Sequence, residues 1–293
     1  MTPDTRRRVG IVVAVLSIAC IADVARPAAA QTQGTQPTAD VQTYEKFRAW
    51  VSSREVAVTI TDQTSDEDIM RIYRRVLAGE GMSDVDIDRQ IQVITERGRK
   101  LEVDRWNRIL TSPAAPFNRE PNAFLVRIIR NTRAGTALDV GMGQGRNAVY
   151  LAQQGWTVTG FDPAEQAVAA SQAEAARVGV KLTAVPVDDS HFDFGKDRWD
   201  LIVLSYVGAR EFVPRIYDSL KPGGMVVVEA FHRDATKNSP IGGAVVFDTN
   251  ELLKLFERFR VTHYEDVEDV ADFGMQKVRV VRLAAEKPVR SAR

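Results

Sequence analysis

Three glycines at alternate positions, and one acid further along the chain, are the residues best placed to do chemistry. The glycines are Gly141, Gly143 and Gly145, and the acid is Asp162. Because glycine has no Cβ, such a loop can bend sharply and bring its backbone close to a ligand. An acid about 20 residues after the loop can accept hydrogen bonds from the hydroxyls of a ribose. The spacing therefore predicts a nucleoside-binding site.

The elements that must position these residues lie on either side of the loop. Residues 136–140 form a short apolar run that is typical of a buried strand. From Asn147 the apolar residues follow helical spacing as far as Gly155, a residue suited to end a helix. A second apolar run, residues 156–161, leads to Asp162. Strand, glycine turn, helix and strand in this order predict one half of a nucleotide-binding α/β unit.

The glycine spacing also narrows the choice of cofactor. It reads G-x-G-x-G, one residue shorter than the dinucleotide fingerprint, and no Lys-Ser/Thr pair of the P-loop kind follows it. The stretch resembles motif I of class I S-adenosylmethionine (SAM)-dependent methyltransferases, and the Asp162-Pro163 pair and the LKPGG stretch at 220–224 are similar to that family as well. The resemblance implies SAM as the cofactor. It also implies an α/β fold with a Rossmann-like, seven-stranded, mostly parallel sheet that ends in an antiparallel hairpin, here with an N-terminal helical appendage.

The same resemblance implies a set of cofactor-binding residues. In the family, an acid after the third strand accepts a hydrogen bond from the adenine amino group, and Asp189 is the first candidate for this role, with Asp188 second. Asp139 is expected to shape the glycine loop and to approach the amino acid end of SAM. The full predicted set is Asp139, Gly141, Gly143, Gly145, Asn147, Asp162, Pro163, Asp188, Asp189, Ser190 and Ser205.

Candidates for catalysis follow the fourth and fifth predicted strands. Ligands of parallel sheets bind beyond the carboxyl ends of the strands, so Ser205 and Tyr206 should face the methyl group. His232 follows the fifth strand and is the candidate general base, although a histidine in a surface loop explains it as well. The predicted catalytic residues are therefore His232 and Tyr206. Methyl transfer chiefly requires positioning, so the sequence leaves open whether a base is used.

Residues 105–125 resemble a segment that folds over the cofactor as a lid in small-molecule methyltransferases of the tellurite and thiopurine type. By that resemblance Trp106, Phe117, Asn122 and Phe124 help to cover the cofactor or the acceptor. The alternative is a helix that docks its aromatic side chains on the sheet. Three prolines within the segment indicate a loop rather than a continuous helix.

The remaining elements of this part of the chain are predicted from apolar runs and from helix signals. The LKPGG stretch is predicted as a turn that opens the fifth strand. The predicted strands are 182–187, 200–206 and 225–230, the predicted helices are 210–220 and 250–259, and the terminal hairpin is formed by 260–267 and 276–283.

The N-terminal part of the chain predicts export and a helical region. Three arginines at 6–8, an apolar run at 9–21 and three alanines at 28–30 have the pattern of a secretory signal. We therefore expect an exported protein, periplasmic or secreted, with a cytoplasmic protein or one anchored in a membrane through residues 9–21 as the alternative. The predicted organisation is a signal peptide at 1–30, a linker at 31–43, a helical region at 44–104, a lid or entry segment at 105–135, a SAM-binding methyltransferase domain at 136–285 and a tail at 286–293.

Helix signals recur within the helical region at 44–104. Ser83 and Asp86 have the spacing of a capping box, which marks the start of a helix. Gly98 is predicted to break that helix. We expect these helices to pack against each other through their apolar stripes, without a catalytic role.

Composition limits the partners. Lys+Arg and Asp+Glu both number 39, so no basic surplus favours nucleic acid, and a single cysteine, Cys20, excludes intramolecular disulfides. The three histidines show no metal-ligand spacing. We expect a small-molecule methyl acceptor, no nucleic acid and no stable membrane span in the mature chain, while the oligomeric state is not indicated.

Two other functions stay open. The signal keeps open an exported SAM- or nucleoside-binding protein without catalysis. SAM is made in the cytosol, so an exported methyltransferase would have no obvious supply of its cofactor. A nicotinamide-dependent oxidoreductase is disfavoured by the short glycine spacing and by the LKPGG stretch.

Overall fold

The structure is a computed structural model in which two compact units, Met1–Glu102 and Val103–Arg293, can be distinguished. The predicted signal peptide and the greater part of the predicted linker lie outside the described residues. The residues described are 38–289, apart from 52, 54–63, 65, 115–116, 211 and 238–244.

Helices make up the first unit as far as it is described: α1 (Ala39–Val51), α2 (Asp66–Gly79) and the first part of α3 (Asp84–Thr111). The predicted capping box is confirmed, since Ser83 Oγ accepts a hydrogen bond from Asp86 N at 3.2 Å and donates one to Asp86 Oδ2 at 2.7 Å. The predicted break at Gly98 is wrong. Helix α3 runs straight through it, and the Tyr44 ring packs against the space that a side chain would occupy there.

The second unit is built around one sheet, and its fold confirms the predicted class. The sheet order is β3-β2-β1-β4-β5-β8-β7, parallel from β3 to β5 and antiparallel from β5 onward. The elements are α4 (Ala123–Ile129), β1 (Thr136–Val140), α5 (Arg146–Gln153), β2 (Thr157–Asp162), α6 (Glu165–Arg177), β3 (Leu182–Pro186), β4 (Trp199–Ser205), α7 (Val213–Ser219), β5 (Leu220–His232), a 3-10 helix (Arg233–Lys237), β6 (Val246–Phe247), α8 (Glu251–Leu255), β7 (Arg260–Val270) and β8 (Lys277–Glu286).

The strand count is one higher than predicted. The sheet has eight strands rather than seven, because the two-residue strand β6 pairs in parallel with the end of β5. Phe231 lies opposite Val246 and His232 opposite Phe247 in this pairing. The extra strand therefore brings the chain beyond the 3-10 helix back to the carboxyl end of β5.

The LKPGG stretch is not a separate turn ahead of the fifth strand, as predicted, but the first part of β5 itself. Leu220 pairs with Trp199, and the register then shifts, so that the stretch forms a bulge. Gly223 N donates to Lys287 O, and Lys287 N donates to Gly224 O, both at 2.8 Å. The chain after β8 thus supplies the hydrogen bonds that keep these residues in the sheet.

Helices α7 and α8 are both shorter than the predicted 210–220 and 250–259. Pro214 stands in the first turn of α7, where its missing N–H costs no helical hydrogen bond. Asn250 precedes α8 in the left-handed region with φ 62°. Each helix therefore begins at a local backbone signal that apolar spacing does not reveal.

Both faces of the sheet are covered, as expected for parallel strands. Leu138 and Val140 of β1 belong to one buried apolar cluster, whereas Ala137 belongs to a second cluster on the other face. This packing on both faces fixes the register of the strands. The loops at the carboxyl ends of the parallel strands therefore meet at one edge of the sheet. No helix in the described part of the chain is long and apolar enough to cross a membrane.

Candidate functional site

The glycine loop lies between β1 and α5 and needs glycine at each of its three alternate positions. Gly141, Gly143 and Gly145 have φ of 62°, 53° and 77°, a region that residues with a Cβ rarely adopt. A Cβ on Gly141 would lie 2.8 Å from Val207 Cγ2, and one on Gly143 would lie 3.3 Å from Leu110 Cδ2. The loop is therefore fixed in a tight conformation that no residue with a Cβ could adopt at Gly141 without displacing Val207.

Gly145 has a different role from the other two. It is the N-cap residue of α5, and a Cβ there would meet Ser171 Cβ of α6 at 2.7 Å. Gly145 therefore permits α5 and α6 to approach each other closely. The sequence predicted only a cofactor contact for this residue.

Asp162 ends β2 and is bonded directly to the glycine loop. Its Oδ2 accepts a hydrogen bond from Gly143 N at 3.0 Å, and its Oδ1 accepts one from Ala164 N at 2.8 Å. Burial raises the pKa of this carboxyl group, and the two backbone donors oppose the rise. Each carboxylate oxygen can accept more than one hydrogen bond, so both can also serve ribose hydroxyls. Pro163 follows Asp162 in the turn before α6.

Asp139 is the most unusual ionisable group of the site. It lies on β1 with 1% of its surface exposed, and burial raises its pKa to about 7, against the opposing effects of Arg146 and of the Ala148 N–H. Its Oδ2 atom has no hydrogen-bond partner among the described residues. A buried carboxylate oxygen without a partner is costly, and a cationic group of a ligand would remove that cost.

In the turn after β3, the two candidate acceptors for adenine, Asp188 and Asp189, have different surroundings. Asp188 is buried, and its Oδ1 accepts hydrogen bonds from Ser190 Oγ at 2.7 Å and from His191 N at 3.1 Å. Asp188 and Ser190 therefore stabilise the turn. The pKa of Asp189 is raised by burial, and the neighbouring Asp188 adds to the rise. Asp189 remains the predicted acceptor for the adenine amino group.

Tyr206 follows β4 and is held in place by its hydroxyl group. It adopts φ 57°, donates to Glu229 Oε1 at 2.7 Å and accepts from Asp272 N at 3.1 Å. Burial and Glu229 raise the pKa of its hydroxyl strongly, so it stays protonated. Glu229 is paired in turn with Arg282 Nε at 2.7 Å. This geometry favours a structural role for Tyr206 and counts against its use as a base.

His232 is buried at the end of β5, not exposed in a loop. Its Nε2 lies 2.9 Å from Thr249 Oγ1, and its Nδ1 accepts a hydrogen bond from Asp234 N at 3.0 Å. Both ring nitrogens are engaged, so the predicted role as a general base would require one of these contacts to break.

The predicted lid or entry segment, residues 105–135, contains the end of α3, a loop and helix α4. Trp106 lies in α3, with its ring 6.3 Å from that of Phe273, and Phe117 stacks on Phe273 at 5.8 Å. Asn107, the neighbour of Trp106, accepts a hydrogen bond from Gln166 N at 2.9 Å and so contacts the first turn of α6. We use the name lid segment for residues 117–122.

Two predicted residues near the lid segment serve the fold. Phe124 is buried in the core on one face of the sheet, so the alternative of an aromatic side chain docked on the sheet holds for this residue. Asn122 is the N-cap of α4, where its Oδ1 accepts from Leu125 N at 2.9 Å. Its own N–H donates to Asn147 Oδ1, also at 2.9 Å. Asn147 is therefore turned toward the lid segment.

Two residues outside the predicted set join these parts. Arg146 donates through Nη2 to Ser205 Oγ at 3.1 Å and to Asp272 Oδ2 at 2.7 Å. Asp272 lies in the turn between β7 and β8, and Asn122 Nδ2 also donates to its Oδ2, at 2.7 Å. Arg146 stands next to the glycine loop in the sequence and could have been noticed. No local pattern marks Asp272, because its importance arises only from the pairing of distant segments.

The described residues fit the cofactor that the sequence resemblance implies. The glycine loop has no Cβ at three of its positions, Asp162 offers carboxylate oxygens, and Asp139 offers a buried oxygen that lacks a partner among the described residues. A nucleoside with a cationic amino acid end has groups complementary to each of these. Within the described residues, no group of three or more His, Cys, Asp and Glu could hold a metal ion.

Comparisons with known proteins agree with this geometry. Residues 137–224 match a family model described as a methyltransferase domain. The chain is 30% identical over 114 residues to the ubiquinone biosynthesis O-methyltransferase of Rickettsia conorii, covering 37% of this chain and 38% of that protein. It is 26% identical over 136 residues to TehB of Haemophilus influenzae, named a probable S-adenosyl-L-methionine-dependent methyltransferase, covering 44% of this chain and 47% of that protein. The chain thus spans less than half the length of these curated relatives.

A solved structure with the same fold is the N-methyltransferase NodS from Bradyrhizobium japonicum, in complex with S-adenosyl-L-homocysteine. Its TM-score is 0.51 at 17% sequence identity, and the match covers 64% of this chain and 98% of that one. Residues 137–224 thus match a methyltransferase domain, and the second unit has the sheet order and the fold of class I methyltransferases.

Proposed function

We propose that the protein transfers a methyl group from SAM to a small-molecule acceptor. The observation that carries the proposal is the contact between Asp162, the predicted ribose acceptor, and the glycine loop, where Gly143 N donates to its Oδ2 at 3.0 Å. The methyltransferase domain and the SAM-dependent relatives support the same activity.

The residues of the glycine loop and its neighbours would hold the cofactor. Asp162 would accept the ribose hydroxyls, Asp189 the adenine amino group, and Asp139 the cationic ammonium of the amino acid end. When bound, SAM supplies an electrophilic methyl group on a sulfonium. The carboxylate of Asp139 is buried beside the loop, so this end of the ligand would be held away from water.

The chain's contribution to the reaction is then mainly positional. Ser205 ends β4, the strand beside β1, and is fixed by Arg146, so the acceptor would lie beyond this strand end. Tyr206 keeps its proton, and His232 has both nitrogens engaged. An acceptor that loses its own proton to water, such as a thiol or an acidic phenol, therefore suits the site better than one that needs a strong base.

We also propose that the protein is exported. The support is the signal-like pattern of basic, apolar and small residues at 1–30. Sequencing the N-terminus of the protein purified from its own cells tests this proposal: a start at Gln31 would support it, and a start at residues 1 or 2 would contradict it.

The activity is tested with methyl-labelled SAM and a panel of thiols, phenols and metalloid oxyanions. Transfer of label to one class, reduced in Asp162→Ala at limiting SAM, is the expected result. Tight SAM binding without transfer to any acceptor would favour the exported binding protein. Binding of a nicotinamide nucleotide in place of SAM would favour the oxidoreductase.

A further inference from the structure

The lid segment lies across the glycine loop and is fastened to it on both sides of Gly145. Arg119 Nη1 donates a hydrogen bond to Gln144 Oε1 at 3.2 Å, and Arg146 Nη1 donates one to Glu120 O at 2.9 Å. These two contacts hold the lid segment against the loop that would carry the amino acid end of the cofactor. A cofactor held by this loop would therefore lie next to the lid segment.

The β7–β8 turn holds the lid segment through Asp272 and through Phe273, on which Phe117 stacks. Asp272 accepts from Asn118 twice, at its carbonyl oxygen from Asn118 N at 2.7 Å and at Oδ1 from Asn118 Nδ2 at 2.9 Å. Its Oδ2 accepts from Asn122 Nδ2 and from Arg146 Nη2, both at 2.7 Å. One carboxylate thus binds both ends of the lid segment and the first residue of α5, and the bond from Arg146 is of the strong, charge-assisted kind.

The turn that carries Asp272 is itself rigidly supported. Asp272 N donates to the Tyr206 hydroxyl at 3.1 Å, and Tyr206 donates to Glu229, which is paired with Arg282. Tyr206 follows β4, Glu229 lies on β5, and Arg282 lies on β8. Because these side chains are buried, the turn is fixed to the sheet, and the lid segment is bonded to that turn.

We propose that Asp272 is a positioning residue that latches the lid segment over the glycine loop and so sets the rate at which the cofactor enters and leaves. The proposal rests on the proposed function, because the ligand concerned is SAM. Asp272 lies in the β7–β8 hairpin, far from the glycine loop in the sequence, and would nevertheless control cofactor exchange. Opening the lid requires the Asp272 contacts to break, since they connect it to a turn that is fixed to the sheet.

The test is the release of radiolabelled SAM from the full-length protein, followed after a chase with excess unlabelled S-adenosylhomocysteine. Asp272→Ala should release SAM at least about ten-fold faster than the wild type, because a charge-assisted contact and its companions are lost. Asp272→Asn, which keeps an acceptor oxygen but not the charge, should release it at an intermediate rate. Glu268→Gln is the matched control, since Glu268 is an exposed acid on the same hairpin, and it should behave as the wild type.

Hydrogen exchange separates a latch from a residue that merely maintains the fold. In Asp272→Ala, the amide of Asn122 should exchange faster, while the amides of Val140 in β1 and Val281 in β8 keep their protection. A wild-type release rate, or loss of protection in β1 and β8 together with the lid, would overturn the proposal. If the wild type bound no SAM, the proposed function would fail, and unchanged exchange in the lid would then overturn the latch as well.

Discussion

At the carboxyl ends of β1 and β2, the site consists of one continuous stretch of chain, whereas at the ends of β4 and β5 it is assembled from segments far apart in the sequence. The first region contains the glycine loop and Asp162, joined by the bond from Gly143 N. The second region contains Tyr206 and His232, together with Asp272 from the terminal hairpin. The two regions adjoin in the same sheet. The first is held by contacts within one stretch of chain, and the second by contacts between distant segments.

The difference corresponds to a division of labour. The first region has buried acids whose pKa values are raised and, at Asp139, an oxygen without a partner among the described residues, so it is prepared for a ligand. In the second region the polar groups of Tyr206 and His232 already bond to the protein. Changes in the first region should therefore affect cofactor binding, and changes in the second should affect the closing of the site and the acceptor.

The largest effect is expected from Gly141→Ala. The left-handed backbone costs a residue with a Cβ about 1–2 kcal/mol, and here the Cβ would also meet Val207 Cγ2 at 2.8 Å. We expect SAM binding to fall below detection in calorimetry. The matched control is Gly179→Ala, at φ 76° with nothing within 4 Å of the added Cβ, which should lose stability but keep SAM affinity. Equal SAM affinity in the two variants would contradict the role of the loop.

Asp162→Ala comes next. The change removes the acceptor for Gly143 N and the predicted acceptor for ribose, which should weaken SAM binding by about 1–3 kcal/mol, or about 5–150-fold. Asp200→Ala is the control at the amino end of β4, where Asp200 accepts from Thr136 N at 2.8 Å. It should lower the melting temperature without changing SAM affinity. Unchanged affinity in Asp162→Ala would remove that residue from the cofactor site.

Asp139→Asn should have opposite effects on stability and on binding. Since the folded-state pKa of about 7 lies above the ordinary 3.8, the cost of the buried charge grows as the pH rises from about 4 to 7 and is constant above that. The variant should thus be more stable than the wild type at pH 8, by up to about 4 kcal/mol, and equally stable near pH 3. Denaturant titrations at both pH values check this.

The same variant tests the pairing of Asp139 with the cofactor. Wild-type SAM affinity should rise as the pH increases through about 7, because only the ionised carboxylate pairs with an ammonium group. In Asp139→Asn the affinity should be lower, and this pH dependence should be lost. A variant with wild-type affinity at pH 8 would show that the buried oxygen does not meet the cofactor.

The smallest effect on the cofactor is expected from His232→Ala. The imidazole bonds to Thr249 and Asp234, both outside the glycine loop, so SAM affinity should be unchanged within error. Turnover with an acceptor from the panel separates the two interpretations of this residue. Loss of turnover would support the predicted base, and retained turnover would make His232 a structural residue of the β5–β6 pair.

The contrast between the regions also explains how far the sequence could predict the site. The strand, loop, helix and acid at 136–162 were predictable because each is a local signal followed closely by the next. The bulge in β5 and the short strand β6 were not, because the chain after β8 and the segment beyond the 3-10 helix determine them.

The predicted lid shows the same limit at the level of single residues. Asn122 bonds to Asp272 and Asn147, whereas Phe124 two residues later packs in the core. Asp272 could not be found at all, because a lone acid in a hairpin turn has no distinguishing spacing until its partners are known. Residues that act through tertiary contacts require the structure.

The central claim is that the glycine loop, Asp139 and Asp162 form a SAM site, and calorimetric titration of the protein with SAM and with S-adenosylhomocysteine tests it most directly. We expect both to bind with one-to-one stoichiometry, and SAM affinity to increase as the pH rises through about 7. A folded protein that binds neither ligand would contradict it.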